Sequence, residues 1–344
     1  MPSLVSPVMQ AVEPIVVRPS DSALLQKQWV EATRRGNHEE AWRLCTEQAY
    51  RRSAKECDDP NLPYHQRWVW DLSDLEGRQV LVRCYHGLGD TIQFLRFVPE
   101  LRRIAATVTL EIQPRLIPLL SPELADRIIP FDPACPLGAA ERNVEIMELS
   151  FALRVPPSAC APPYLQVDPA KLPPGTIGLC ATSGDWDNER SIPAQLLAPL
   201  CDGRPCITLD SSRSPLPVQN PLGCPFDMIE TARLVAGCSL VVTVDTMIAH
   251  LAGALGVPVW VLLKHEPDWR WAPETKQSEW YPSAQLYAQP RPGDWLAVVD
   301  AVVRDLDQLF PVHRSPVDES DRMSARARLM GRTGRQDHHP ADQV

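Results

Sequence analysis

The chain has no run of about 18 apolar residues, so no segment reads as a membrane-spanning helix. The first residues, MPSLVSPVMQAVEPIVV, lack a basic start and a clean apolar core, so a secretory signal peptide is not expected. Basic residues are in deficit. The 34 Lys and Arg stand against 43 Asp and Glu, for a net charge of -9. That disfavours a nucleic-acid binder working through a broad basic surface, but a small phosphate ligand needs only a few local donors. The ten cysteines include no Cys-x-x-Cys pair, and Cys84, Cys180 and Cys206 lie in apolar, strand-like runs. They read as small buried thiols of a reducing cytosol rather than as zinc ligands or disulfides. A cytoplasmic location is the expectation.

The 344 residues, 44% of them apolar, suffice for two globular domains. Residues 22–35 and 38–55 have helical spacing, with Leu24, Leu25, Trp29 and Ala32 on one stripe and Ala41, Leu44, Cys45 and Ala49 on the other. Gly36-Asn37 is the turn between them. The pair looks like one tetratricopeptide-type unit. A lone unit cannot bury its own face, so it is expected to dock on the rest of the chain or to self-associate with a second copy. From residue 78 strands and helices alternate. QVLVRC (79–84), a helix over 90–104 kinked by Pro99 near Leu95, and TVTLEI (107–112) are followed by a proline-rich stretch with short strands near 127–131 and 144–148. A second series has strands at 176–181, 205–210, 239–244 and 257–263, the last clear one, with helices at 191–200, 226–238 and 246–256. A helix over 293–310 closes the fold, and the polar residues beyond are expected to be disordered. Apolar strands alternating with helices imply an α/β fold with two doubly wound parallel sheets facing across a cleft. The expected divisions are 1–65 (helical hairpin), 66–170 and 171–312 (two Rossmann-like domains) and 313–344 (tail).

Four stretches could carry chemistry. RCYHGLGDTIQFLRF (83–97) places Gly87, Gly89 and Asp90 at a strand-to-helix seam. It is not the dinucleotide fingerprint, because Ile92 stands where a third small residue is needed. The glycines can admit a ligand to the backbone. Asp90 is either a plain N-cap or a carboxylate at the carboxyl end of a strand, where open α/β sheets bind ligands and a hydroxyl can be deprotonated. In VVTVDTMIAHLAGALGVPVW (241–260), Asp245 and Thr246 open a helix whose N-terminal N–H groups suit a phosphate, and His250 shares a face with Thr246. Asp245 could equally be an N-cap and His250 a packed group. ATSGDWDNERSIP (181–193) offers Ser183 and Arg190, whose planar fork can bind a diphosphate, unless Arg190 is merely a surface residue. PDWRWAPE and SEWYP (267–282) hold Trp269, Trp271, Trp280 and Tyr281, which either line a cleft or pack an irregular loop.

GLGDTIQFLRFVPEL followed by VDTMIAHLAGALGVPVWVLL resembles glycosyltransferase family 9, the heptosyltransferase group, over about 66–310. The branch found behind tetratricopeptide repeats in bacterial proteins is the most similar. The resemblance implies a GT-B architecture with the nucleotide-sugar held mainly by the second domain, and inverting transfer that needs no metal and no other cofactor. Asp90 then matches the proposed general base. Asp245, Thr246 and His250 match the nucleotide-diphosphate segment. Gly87, Gly89, Ser183 and Arg190 complete the expected donor site. Arg190-Ser-Ile-Pro stands where heptosyltransferases have a basic residue before x-Trp-Pro, and Val-Asp-Thr-Met where they have Asn-Asp-Ser-Gly. The implied partners are a nucleotide-diphosphate sugar donor and a glycan, lipid-linked or protein acceptor, with room for peripheral association at the inner membrane and a role in bacterial surface glycan assembly. A non-catalytic nucleotide-sugar-binding scaffold is the alternative, and a sugar-nucleotide epimerase a third reading.

Overall fold

The computed structural model describes residues 19–51, 69–184 and 187–311. The tail expected over 313–344 lies outside the described residues. Helices α1 (Pro19–Arg34) and α2 (His38–Arg51) form an antiparallel hairpin closed by Gly36 in a left-handed conformation. Leu25, Ala32, Ala41 and Leu44 are buried between them.

The first α/β domain has four parallel strands in the order β3-β2-β1-β4: β1 (Gln79–Arg83), β2 (Thr107–Ile112), β3 (Arg127–Pro130) and β4 (Arg142–Glu145). Val80 sits opposite both Val108 and Arg142. After β1 come α3 (Leu88–Phe94), a 3-10 turn at Leu95–Phe97 and α4 (Val98–Ile104). The expected kink near Leu95 is therefore present. It leaves Pro99 in the first turn of α4, where its missing N–H costs nothing. A short helix, α5 (Leu149–Leu153), follows β4. The strand expected at 144–148 ends at Glu145, because Glu145 and Glu148 cap a helical turn there.

The second domain has five parallel strands in the order β6-β5-β7-β8-β9: β5 (Ile177–Cys180), β6 (Cys206–Thr208), β7 (Leu240–Val244), β8 (Val259–Leu263) and β9 (Ala284–Ala288). Its helices are α6 (Met228–Gly237), α7 (Met247–Ala254) and the closing α8 (Trp295–Leu309). The helix expected over 191–200 is instead a 3-10 helix, Ala194–Cys201, because Pro199 inside it cannot support α-helical bonding. Strand β9 was not expected, since its AQLYA is short and set among polar residues and prolines.

In each sheet the strand order reverses once, between β1 and β4 and between β5 and β7. Ligands of open α/β sheets bind at the carboxyl ends of the strands at such reversals. The two domains meet where α3 packs on α7. A Cβ on Gly89 would lie 2.9 Å from His250 Cδ2 and 3.3 Å from Met247 Cα, so this contact requires glycine. The hairpin docks on both domains, the first of the two outcomes expected for it. Trp29 packs on Trp269 at 4.9 Å, Arg34 Nη2 donates to the Pro267 carbonyl at 2.6 Å, and Arg154 Nη2 donates to Thr46 Oγ1 at 3.1 Å.

Candidate functional site

Two βα junctions of the second domain converge at its strand-order reversal. Buried β7 delivers Asp245 and Thr246 to the start of α7. Thr246 is the N-cap residue but makes no side-chain capping bond, leaving its hydroxyl available. The loop after β5 brings Arg190 to the same place, where its Nη1 donates to the Asp245 carbonyl at 3.1 Å and lies 3.9 Å from Asp245 Oδ2. Ser183 is built into that loop: its N–H donates to Ser191 Oγ at 3.0 Å and its Oγ to the Asp187 carbonyl at 3.1 Å. Lys264, the residue after β8, adds a second cation. Its Nζ lies 3.0 Å from Asp187 Oδ2 and 3.3 Å from Glu189 Oε2. Arg190 thus sits beside the N-terminus of α7, Lys264 is tied to the same loop, and Asp187, Glu189 and Asp245 balance their charge.

Burial dominates the titration of the inner groups. It pushes the Asp245 carboxyl up to about 6, reinforced by Asp268, while the nearby Trp271 indole and the charges of Arg270 and Arg190 pull the other way. Burial also drives His250 well below the ordinary histidine value, and three nearby arginines add to the effect. The neutral ring is fixed by Tyr281, 3.0 Å from Nδ1, and stacks on Trp271 with centroids 5.7 Å apart. His250 faces the first domain at Gly89.

On the opposite side of the interface, Asp90 is engaged on both oxygens. Oδ2 accepts the Gly87 N–H at 3.0 Å, closing a capping box at the start of α3. Oδ1 is paired with Arg270 Nη2. The Arg270 side chain, only 8% exposed, also bonds Asp268 at 2.8 Å and Gln93 Oε1 at 2.7 Å. Asp90 is therefore not the N-cap, which is Gly87; it is the third residue of α3, closing the capping box with one oxygen and an ion pair across the domain interface with the other.

The structure brings Arg190, Asp245, Thr246 and Ser183 together, and places Gly87, Gly89, Asp90 and His250 at the neighbouring α3–α7 contact. Sequence reasoning missed Arg270 and Lys264. Lys264 directly follows the apolar strand VPVWVLL and could have been found by its place at a strand's carboxyl end. Arg270 lies inside a stretch read only for its aromatics. Of those aromatics, Trp271 and Tyr281 are core residues, whereas Trp269 and Trp280 border a cavity.

The signature of glycosyltransferase family 9 (heptosyltransferase) matches residues 221–292, the span from before α6 to just past β9. Protein FlbA of Caulobacter vibrioides is 25% identical over 279 residues, covering 66% of this chain and 46% of that protein, so the chain spans less than half the length of this curated relative. Among solved structures, a glycosyl transferase family 9 protein from Veillonella parvula superposes with a TM-score of 0.50 at 14% identity, covering 69% of this chain and 98% of the other. The E. coli ADP-heptose lps heptosyltransferase II has a TM-score of 0.48 at 14% identity, covering 66% and 99%. Two parallel-sheet domains joined at facing strand-order reversals give this chain a GT-B architecture like that of the Veillonella parvula protein, and its second domain carries the match to glycosyltransferase family 9.

Proposed function

We propose that the protein transfers a sugar from a nucleotide-diphosphate donor to an acceptor hydroxyl, with inversion at the anomeric carbon. The observation that carries this reading is Arg190 held against the Asp245 carbonyl at the start of α7. A guanidinium then lies beside the start of α7, and Lys264 is tied to the Arg190 loop through Asp187, donors that suit a diphosphate. Gly89 and His250 act by holding the two domains against each other, Gly87 by donating its N–H to Asp90, and Ser183 by shaping the Arg190 loop.

In the reaction the acceptor oxygen loses its proton to a carboxylate and forms a bond to the anomeric carbon. The bond from that carbon to the diphosphate oxygen breaks, and its electron pair leaves with the diphosphate. Arg190, Lys264 and the α7 dipole neutralise the growing charge, a role that asks for no metal ion. Asp90 is the carboxylate assigned as base. Its pairing with Arg270 must loosen for it to accept a proton, and the donor diphosphate is a competing anion for that arginine. The same pairing also favours a second reading, a nucleotide-sugar-binding scaffold without turnover. An acceptor in bacterial surface glycan assembly and work at the cytoplasmic face of the inner membrane belong to the first reading. No helix among the described residues is long and apolar enough to cross a membrane.

A thermal-shift screen against ADP-, UDP-, GDP- and dTDP-sugars tests the donor site, since a ligand that binds only the native state raises its melting temperature. A rise with one nucleotide class supports it, and no rise with any removes it. Glycosidic product with the matched donor then separates transferase from scaffold. An epimerase would alter the donor with no acceptor present.

A further inference from the structure

A second site lies outside the donor crevice. A cavity of about 540 Å³ opens where the hairpin covers the first domain. His86, just past β1, and Glu145, at the end of β4, form its floor, which is the strand-order reversal of the first sheet. Its walls are aromatic and come from all three parts of the chain. Trp29 and Trp42 belong to the hairpin, Trp70 and Phe151 to the first domain, and Trp280 to the second.

Two buried polar atoms among its lining residues, one on the hairpin and one on the floor, lack partners. Thr33 Oγ1, on the hairpin, is buried and makes no hydrogen bond among the described residues. Glu145 is 2% exposed. Its Oε2 accepts the Met147 N–H at 2.6 Å, but Oε1 meets no partner with hydrogen-bond geometry among the described residues. Burial holds this carboxyl well above the ordinary range and the Glu148 carboxylate raises it further, while the Met147 and Tyr85 backbones offset only part of that. In its protonated form, which burial favours, the Glu145 carboxyl can both donate and accept, the pair of bonds that a sugar hydroxyl takes. Glu148 is committed to the N–H groups of Trp70 and Glu145, at 3.1 and 2.9 Å. No lysine or arginine is among the described residues lining the cavity.

We propose that this cavity is the acceptor site, that the hairpin completes it, and that it takes a neutral sugar. The name acceptor rests on the transferase reading above; the sugar-binding chemistry does not. Flat tryptophan faces suit the C–H faces of a pyranose, and the buried Thr33 and Glu145 oxygens suit its hydroxyls. An acyl chain would leave both oxygens unpaired, which is costly in a dry site. An acidic sugar would bring its charge beside Glu148, and the two histidines of the lining, His38 and His86, already face Glu279 and Glu145, so the cavity selects against it.

The test uses the full chain without nucleotide, read by saturation-transfer NMR and by tryptophan emission. The probes are methyl glucoside, galactoside and mannoside, glucuronate, and decanoate. The expected result is binding of at least one neutral glycoside, with glucuronate at least about tenfold weaker. Ala49→Trp fills the cavity from the hairpin and should abolish that binding. Glu145→Leu should weaken it about tenfold by removing both bonds, while Glu145→Gln, which still donates and accepts, should stay within about threefold. No glycoside binding, equal binding of glucuronate, preferential binding of decanoate, or glycoside binding indifferent to Ala49→Trp would each overturn the proposal. Donor binding in Ala49→Trp, measured alongside, keeps the two readings apart. Glycoside binding without nucleotide binding would remove the transferase reading alone, and the converse would remove this one.

Discussion

Gly89→Ala separates two uses of the same glycine. If Gly89 exists to let a ligand reach the backbone, an added methyl disturbs binding but not the fold. If it exists to let α3 press on α7, the methyl disturbs both. An alanine Cβ would sit 2.9 Å from His250 Cδ2, closer than such atoms approach, and 3.3 Å from a backbone atom, Met247 Cα. His250 has little room to yield, since Tyr281 holds its Nδ1 and Trp271 stacks on its face. Overpacking of this kind costs about 1–3 kcal/mol. Gly89 lies inside α3, so alanine also returns about 0.5–1 kcal/mol of helix preference. The clash wins, for a net loss of about 1–2 kcal/mol and a melting temperature lower by about 2–8 °C. Gly138→Ala is the control, with nothing within 4 Å of the added carbon. In a His250→Ala background the cost of Gly89→Ala should fall by at least about 0.5 kcal/mol, because the two positions share one contact. Scanning calorimetry and urea unfolding of the four proteins of this cycle measure it. An unchanged or higher melting temperature for Gly89→Ala would refute the packing account.

Asp90→Asn should lower turnover by about 10²–10⁴, the range for loss of a general base, with glycosidic product as the readout. Its effect on folding should stay well below the about 3–5 kcal/mol of a broken, fully buried pair, because the Asp90 side chain is 27% exposed and Arg270 keeps Asp268. Unchanged turnover would remove the base assignment. Asp245→Asn should stabilise the protein at pH 7.5 by up to about 3 kcal/mol and by almost nothing at pH 4. The sign follows from a folded value of about 6 against 3.8. Between these the native state holds more protons than the unfolded one, so the contribution of Asp245 is lost as pH rises through that window. Equal stabilisation at both pH values would show that Asp245 is not held protonated. Thr246→Val should weaken nucleotide binding by only about 0.5–1.5 kcal/mol, because the backbone N–H at the helix start survives, and a loss as large as that of Arg190→Ala would contradict this.

The parallel sheets were legible in the sequence because every strand of the second domain but one is a wholly buried, mostly apolar run. The exception, β9, is an edge strand and carries a mixed pattern. The convergence of Arg190 with Asp245 followed from placing both after strands, whereas the Asp90–Arg270 pair could not be read, because it joins residues 180 positions apart across a domain interface. The cavity was equally hidden. Its walls come from three parts of the chain, and only the docked hairpin encloses it.

The donor site is the centre of the account, and calorimetric titration of the wild type and Arg190→Ala with the nucleoside diphosphate chosen by the thermal screen tests it most directly. A charge-assisted contact to a diphosphate contributes about 1.5–3 kcal/mol, so affinity should fall by about 10- to 150-fold in Arg190→Ala, with the melting temperature of the free protein little changed. Equal affinity in the two proteins would contradict the assignment of the α7 crevice as the diphosphate site.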